Sequence, residues 1–338
     1  MSDVDEHGQP AAHDVSVVIP VYRGEHSLPT LLEEIVPLHE EFVTLGGNRV
    51  RVAEVVLVHD HGPDDSARVI RELAAKHDFV HPVWLSRNFG QHAATLAGMA
   101  SSGGDWILTI DEDGQYDPAF LGAMVDTALD ERATVVYARP SNPAPHGPLR
   151  NLASRTAKTF IETVLGSRGT SVFHSFRLVL GEVGRSVAAY SGAGVYLDIA
   201  LGWVAGDVVT CPVTLRGEAD RPSGYNLRSL ASHFWRMVLT SGTRLLRVVS
   251  VVGVLTALFG VLVALILIGN ELFGADLLRG WTSTMVVVLL STGAILFSLG
   301  VVAEYLGVAV NMAMGKPLYL IVSDPEQGPL GRRRRTRQ

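Results

Sequence analysis

The sequence predicts an α/β domain on a parallel sheet, followed by a membrane-spanning helical hairpin. Three observations carry that reading. Between Val15 and Arg139, short β-rich runs alternate with longer helical stretches, the signature of strand–helix–strand units. Val248 to Gly269 and Trp281 to Ala303 contain no charged residue, and at about 1.5 Å per helical residue each reaches across roughly 30 Å of hydrocarbon. The residues that follow successive strand candidates are polar, where a parallel sheet collects its ligands.

In order, VSVVIPVY precedes LPTLLEEIVPLHEEF, AEVVLVHD precedes DDSARVIRELAAKH, FVHPVWLS precedes QHAATLAGMASS, and DWILTID precedes PAFLGAMVDTAL; TVVYAR closes the series. After these strands come Tyr22 and Glu25, then Asp60, then Arg87 and Asn88, then Asp111 and Asp113. Residues 140–226 are less regular, with a Pro-rich SNPAPHGP, a basic LRNLASRTAKTF and a strand-like VVTCPVTL. Residues 227–247 set Leu, Phe, Trp and Met among arginines, as an interfacial amphipathic helix does. Buried core helices are the alternative to the two spans, but such helices keep one polar stripe and these have none. The expected divisions are a disordered 1–14, the α/β domain 15–226, the amphipathic helix 227–247, spans 248–269 and 281–303, and a basic tail 304–338.

Charge sets the orientation. Between the spans lie Glu271, Asp276 and one cation, Arg279, whereas Arg228, Arg236, Arg244, Arg247, Lys316 and Arg332 to Arg335 flank them outside. By the positive-inside rule both termini and the α/β domain face the cytoplasm of an inner, or plasma, membrane. The first residues, MSDVDEHGQP, lack the basic start and apolar core of a signal peptide. A single cysteine, Cys211, excludes an internal disulfide and fits a reducing compartment. A formal charge of -6 argues against nucleic acid as a partner, and the basic residues near the spans suit anionic lipid headgroups or, for the RRRR run, a simple topology signal.

The chemistry centres on LTIDEDGQYDP, where Asp111 and Asp113 end a strand candidate. On a regular strand the two would face opposite sides, but Gly114 frees the backbone to turn both toward one ligand. Hard oxygens of this kind suit Mg²⁺ or Mn²⁺ completed by phosphate and water; a surface loop produces the same D-x-D by chance. Tyr22 could lie against a base, Asp60 could accept from a base or ribose, and Arg87 could fork onto a phosphate. Each has a plainer alternative: Tyr22 as a cap on the core, Asp60 as an N-cap, Arg87 as a solvated cation. Neither GxxxxGK[ST] nor GxGxxG is present, so a diphosphate here would lack a backbone cradle and need a metal.

SVVIPVYRGEHSLPTLL, EVVLVHDHGPDDS, LSRNFGQHAATLAGM and GDWILTIDEDGQYDP resemble, in order, the motifs of family 2 glycosyltransferases with a Rossmann-like GT-A fold, in the branch acting on polyprenyl phosphates. SGYNLRSL and VVAEYLGVAVNMAMGKPLYLI resemble that branch's entry into its juxtamembrane helix and exit from its second span, so the likeness covers about 15–322. It implies an inverting, metal-dependent transfer of sugar from a UDP- or GDP-linked donor to undecaprenyl phosphate, for cell-envelope glycan or lipid modification. It further implies a nucleotide site of Pro20, Tyr22, Glu25 and Asp60, with Arg87 near the diphosphate. Asp111 would lie near ribose or metal, Asp113 on the metal, and Gln115 at the sugar. Arg139, Lys158 and Arg177, with Arg150 and Arg155, would face the lipid phosphate, and relatives imply a homotetramer or dimer.

Three departures bear on that resemblance. HDHG stands for the usual DDGS, so His59 and His61 replace Asp and Gly while Asp60 survives; Glu112 replaces the common Ala; and Ser175 stands in SFRL where one group of the branch, the bactoprenol glucosyltransferases, has the Asp of DFRL. A phosphate monoester has its second pKa near 6, so an ionised acceptor needs no base, and losing the Asp does not forbid catalysis. Asp198 is the other carboxylate to watch, with a structural role the plainer expectation. The competing functions are a non-catalytic lipid-phosphate scaffold and a transferase using another lipid acceptor. Absence of QxxRW and of further spans argues against a processive synthase.

Overall fold

The computed structural model describes residues 11–141, 174–192, 196–205, 208–216, 280–315, 317–329 and 331, with part of 249–265. The chain divides into two compact units. Met1–Thr156, Gly169–Gly224 and Pro317–Gln338 form the first, and Ala157–Arg168 with Tyr225–Lys316 form the second.

In the first unit the strands are β1 (His13–Val21), β2 (Phe42–Val43), β3 (Arg49–His59), β4 (Val80–Leu85), β5 (Trp106–Thr109), β6 (Val135–Pro140), β7 (Arg177–Leu180), β8 (Val209–Val213) and β9 (Ile321–Val322). The helices are α1 (Leu28–Ile35), α2 (Ser66–Lys76), α3 (Gln91–Ala100), α4 (Leu121–Asp130), α5 (Gly181–Tyr190) and α6 (Leu197–Val204). Among the described residues they build one sheet in the order β8-β6-β7-β5-β1-β3-β4-β9, with β2 beside β3. β1 pairs in parallel with both β3 and β5, and β3 with β4, as the alternating pattern predicts. The sheet as a whole is mixed, because β7 runs antiparallel to β5 and β6, and β9 antiparallel to β4.

Two-residue periodicity divides the core. Val17, Ile19 and Val21 of β1 and Val55 and Leu57 of β3 face one apolar cluster, while Val18, Val56 and Val58 face the other. Burial on both faces is why these strands read as nearly unbroken apolar runs. Pro37 ends the expected first helix early: α1 stops at Ile35, and the chain continues as a 3₁₀ turn over Val36–His39.

β9 corrects the expected tail. Residues from Pro317 onward belong to the first unit rather than to a separate 304–338 segment. Leu85 pairs with Ile321, Trp84 pairs with Val322, and the Ser86 amide donates to the Leu320 carbonyl at 3.0 Å. Covering the exposed backbone of β4 is the physical return.

In the second unit, α7 (Trp281–Ala313) holds a window, Leu290–Asn311, with mean hydropathy 1.9, long and apolar enough to cross a membrane. It is the one such helix among the described residues. The helix runs past the expected span end at Ala303; apart from Glu304 and Asn311 the sequence stays apolar to Ala313, and the helix stops only where Gly315 turns to φ +63° before Pro317. Of the expected first span the described residues are helical. The juxtamembrane segment 227–247 lies outside the described residues.

Candidate active site

Because β1, β3, β4 and β5 are parallel, their carboxyl ends lie together, with Val21 opposite His59 and His59 opposite Trp84. The four loops that leave this edge are laced to one another by side chains. Glu112 accepts from the amides of Tyr22 at 3.1 Å and Arg23 at 2.9 Å. Asp60 accepts from those of Phe89 at 2.7 Å and Gly90 at 2.8 Å. Gln91 Nε2 donates to Asp111 Oδ1 at 2.5 Å. Residues far apart in sequence therefore meet at one edge of the sheet.

Asp111 is held at both oxygens, since Ser175 Oγ donates to its Oδ2 at 2.5 Å. The antiparallel pairing explains this contact: Thr109 of β5 lies opposite Arg177 of β7, so residues just past β5 meet residues just before β7. Asp111 keeps some surface open, yet burial of its carboxyl is the largest influence and lifts its pKa to about 6; the hydrogen bond from Ser175 opposes this and the charge of Asp113 adds to it. Asp113 is exposed. The Gln115 amide donates to its Oδ1 at 3.1 Å, and Oδ2 has no hydrogen bond among the described residues. Gly114 between them sits at φ +72°, the left-handed turn that glycine accommodates without strain.

This arrangement fits a hard divalent cation. Asp113 offers a free oxygen, and the repulsion between the two aspartates is relieved by positive charge. No group of three or more His, Cys, Asp or Glu side chains suited to a metal occurs among the described residues, so a cation here would complete its shell with phosphate and water.

The remaining predicted residues divide. Tyr22 is 41% exposed and open to a ligand, with the Arg23 guanidinium 5.6 Å from its ring centre. Pro20 is buried at the end of β1. Glu25 is half-buried and accepts from the Asp65 amide at 3.2 Å. Asp60 is 3% exposed; burial raises its pKa, and the Phe89 and Gly90 amides oppose the rise. Its carboxylate supports the turn carrying Arg87, whose guanidinium lies 4.3 Å from the Phe89 ring centre with the side chain exposed. Gln115 fixes the acidic loop through its carbonyl, which accepts from the Arg216 amide at 3.0 Å.

Arg177 departs from the expected open cation. It is 3% exposed and ion-paired with Asp198, itself 4% exposed. Thr109 accepts from Arg177 Nε at 3.0 Å, and Tyr137 donates its hydroxyl to Asp198 at 2.9 Å. An arginine so enclosed is answered by its partner before any headgroup arrives; Asp198 takes the structural role. Arg139 is exposed at the end of β6. Lys158, Arg150 and Arg155 lie outside the described residues.

Three contributors escape a reading of the strand ends. Gln91 stands within RNFGQHAA and opens α3, so the motif carried its signal. Ser175 registered only as a missing Asp. Arg216 bridges Glu34 and Asp117, each at 2.8 Å, and nothing in its local pattern marks it.

Residues 16–179 match the profile of glycosyl transferase family 2. Over 325 residues the chain is 28% identical to the undecaprenyl-phosphate 4-deoxy-4-formamido-L-arabinose transferase of Sodalis glossinidius (strain morsitans), covering 95% of this chain and 97% of that protein. It is 30% identical over 323 residues to the transferase of the same name from Klebsiella pneumoniae (strain 342), covering 94% and 96%. Among solved structures, glucosyl-3-phosphoglycerate synthase from Mycobacterium tuberculosis in complex with UDP is similar at 19% identity and a TM-score of 0.47, covering 69% of this chain and 80% of that one. The chain belongs to glycosyl transferase family 2.

Proposed function

We propose that this enzyme transfers a sugar, with inversion, from a nucleoside diphosphate sugar to the phosphate of a polyprenyl lipid such as undecaprenyl phosphate. The observation that carries the reading is the pair Asp111 and Asp113 at the carboxyl edge of the parallel strands, tied through Gln91 and Glu112 to the loops of Asp60 and Tyr22. Likeness along almost the whole length to transferases named for undecaprenyl phosphate supports the acceptor.

In this reading Tyr22, Pro20, Glu25 and Asp60 shape the nucleoside end, Arg87 meets the diphosphate, and Gln115 borders the sugar. Asp113, with Asp111 behind it, holds Mg²⁺ or Mn²⁺, which when bound supplies positive charge against the departing diphosphate. The acceptor oxygen is already ionised near neutral pH, so the site needs to orient it rather than deprotonate it. Arg139 and Lys158 are the cations we assign to the acceptor phosphate, and Arg177 acts behind them as a fixed, buried charge. The apolar α7 and the helical residues of 249–265 support a two-span hairpin, with both termini and the catalytic domain on the cytoplasmic side of the membrane.

The test is direct. Purified protein in detergent receives undecaprenyl phosphate, Mg²⁺ or Mn²⁺, and radiolabelled UDP- and GDP-sugars in turn. One donor is expected to move label into the lipid phase as an acid-labile phosphodiester, and Asp113→Ala to abolish that transfer. No transfer from any donor overturns the reading.

A further inference from the structure

The segment from Tyr22 to Glu25 leaves β1 with four successive amides, and other loops hold all four through side chains. Glu112 accepts from Tyr22 and Arg23. Ser66 Oγ accepts from Gly24 at 2.8 Å, and Asp64 accepts from Glu25 at 3.1 Å. Ser66 in turn donates its hydroxyl to Asp64 at 2.6 Å. The loop proposed to receive the nucleoside therefore takes its shape from the acidic loop on one side and the loop after β3 on the other.

Glu112 is the sole link on the acidic side among the described hydrogen bonds. Its two oxygens accept from consecutive amides; burial foremost lifts the carboxyl's pKa to about 7, and the two N–H groups oppose that rise. Residue 24 has room only for glycine: a Cβ there would lie 2.7 Å from Glu112 Oε2 and 2.8 Å from Leu28 Cγ. A third carboxylate between Asp111 and Asp113 would by itself repel a diphosphate; captured by two amides, it serves as a tie.

We propose that Glu112 is a positioning residue that locks the Tyr22–Glu25 loop to the Asp111–Asp113 loop, so that the nucleoside and diphosphate halves of the donor site form one preorganised body. The inference rests on the proposed donor chemistry and deepens it. Loss of the tie raises the cost of ordering the donor site on binding and leaves the acceptor site alone.

The experiment uses the full-length protein and whichever of UDP and GDP it binds more tightly. Titration calorimetry with and without Mn²⁺ is combined with donor and acceptor KM. Glu112→Ala is expected to weaken nucleotide binding about tenfold to a hundredfold, the range for losing hydrogen bonds to a charged group. Donor KM rises in step and acceptor KM stays unchanged. Glu112→Gln, which keeps one accepting oxygen and turns an NH₂ toward the other amide, recovers part of the loss. Gly24→Ala, which keeps the Glu112 side chain but sets a Cβ against its Oε2 and against Leu28 so that both must shift, shows the same donor-selective defect, and melting temperatures confirm that each variant is folded. A Glu112→Ala protein that binds nucleotide as tightly as the unaltered one overturns the proposal. So does a loss confined to Mn²⁺ affinity, which would make Glu112 a cation ligand, or a loss confined to acceptor KM. If the unaltered protein binds neither nucleotide, the functional reading fails and the inference fails with it.

Discussion

Ser175 donates its hydroxyl to Asp111 Oδ2 at 2.5 Å, at the position where the resemblance to one group of the branch leads one to expect an Asp. A carboxylate there would face a second carboxylate; the hydroxyl instead steadies the one already present. Asp111 still has Gln91 on its other oxygen, so removing Ser175 loosens the carboxylate without freeing it. Ser175→Ala is expected to lower kcat about tenfold, the scale of one hydrogen bond to a charged group. Asp113→Ala should cost far more. Initial rates at saturating donor and acceptor compare the two, and equal losses would refute a merely supporting role for Ser175.

Asp60 holds the β4–α3 turn through the Phe89 and Gly90 amides, and that turn presents Arg87. Asp60→Asn keeps the shape but turns an NH₂ toward one of those amides, leaving a buried donor unanswered at a cost of about 1–3 kcal/mol. The expected result is a melting temperature lower by several degrees, at about 2–4 °C per kcal/mol, with a raised donor KM. Thermal melting in detergent and donor kinetics check both.

The strand-end residues were legible because a sheet buried on both faces forces apolar runs, and the first polar residue after each run marks the edge where ligands bind. Tyr22, Asp60 and Asp111 follow directly from that rule. The contact of Ser175 with Asp111 was not legible, since it depends on β7 entering antiparallel between β5 and β6, a pairing that no local periodicity encodes. For the same reason Arg177 read as an open cation: its partner Asp198 lies on α6, and nothing in SFRL announces that pairing. β9 is only two residues long, too short to show a period, so the return of the chain to β4 was invisible too.

His59 gives the fold a pH dependence. It is 7% exposed, its ring centre lies 5.3 Å from that of Trp84, and burial foremost, then the charge of His61, lowers its pKa to about 4. Between about pH 6.5 and 4 the unfolded chain takes up a proton that the folded one refuses, so stability falls as pH drops through that window. At pH 5 the loss from this one group is on the order of 2 kcal/mol. His59→Leu, apolar and suited to the same enclosure, should lose less stability than the unaltered protein on going from pH 7.5 to pH 5. Equal losses by thermal melting would show that His59 is not the group responsible.

Arg71 fastens the returning segment to the catalytic sheet. Its guanidinium makes two 2.8 Å hydrogen bonds to Asp324, meets Glu326 at 3.0 Å and lies 4.9 Å from the Trp84 ring centre. The Arg71 and Asp324 side chains are 16% and 15% exposed, so water screens this pair less than an ordinary surface bridge. Hydrogen bonding to Asp324 is the main influence raising the Arg71 pKa, and hydrogen bonding from Arg71 the main one lowering that of Asp324; both stay charged across the physiological range. Arg71→Ala is expected to destabilise by about 2 kcal/mol, or about 5 °C in melting temperature. Asp324→Ala should act in the same direction. Because the two residues share one interaction, the double variant should melt well above the value that adding the single losses gives. Simple additivity in that cycle would mean that β9 stays on β4 without the ion pair.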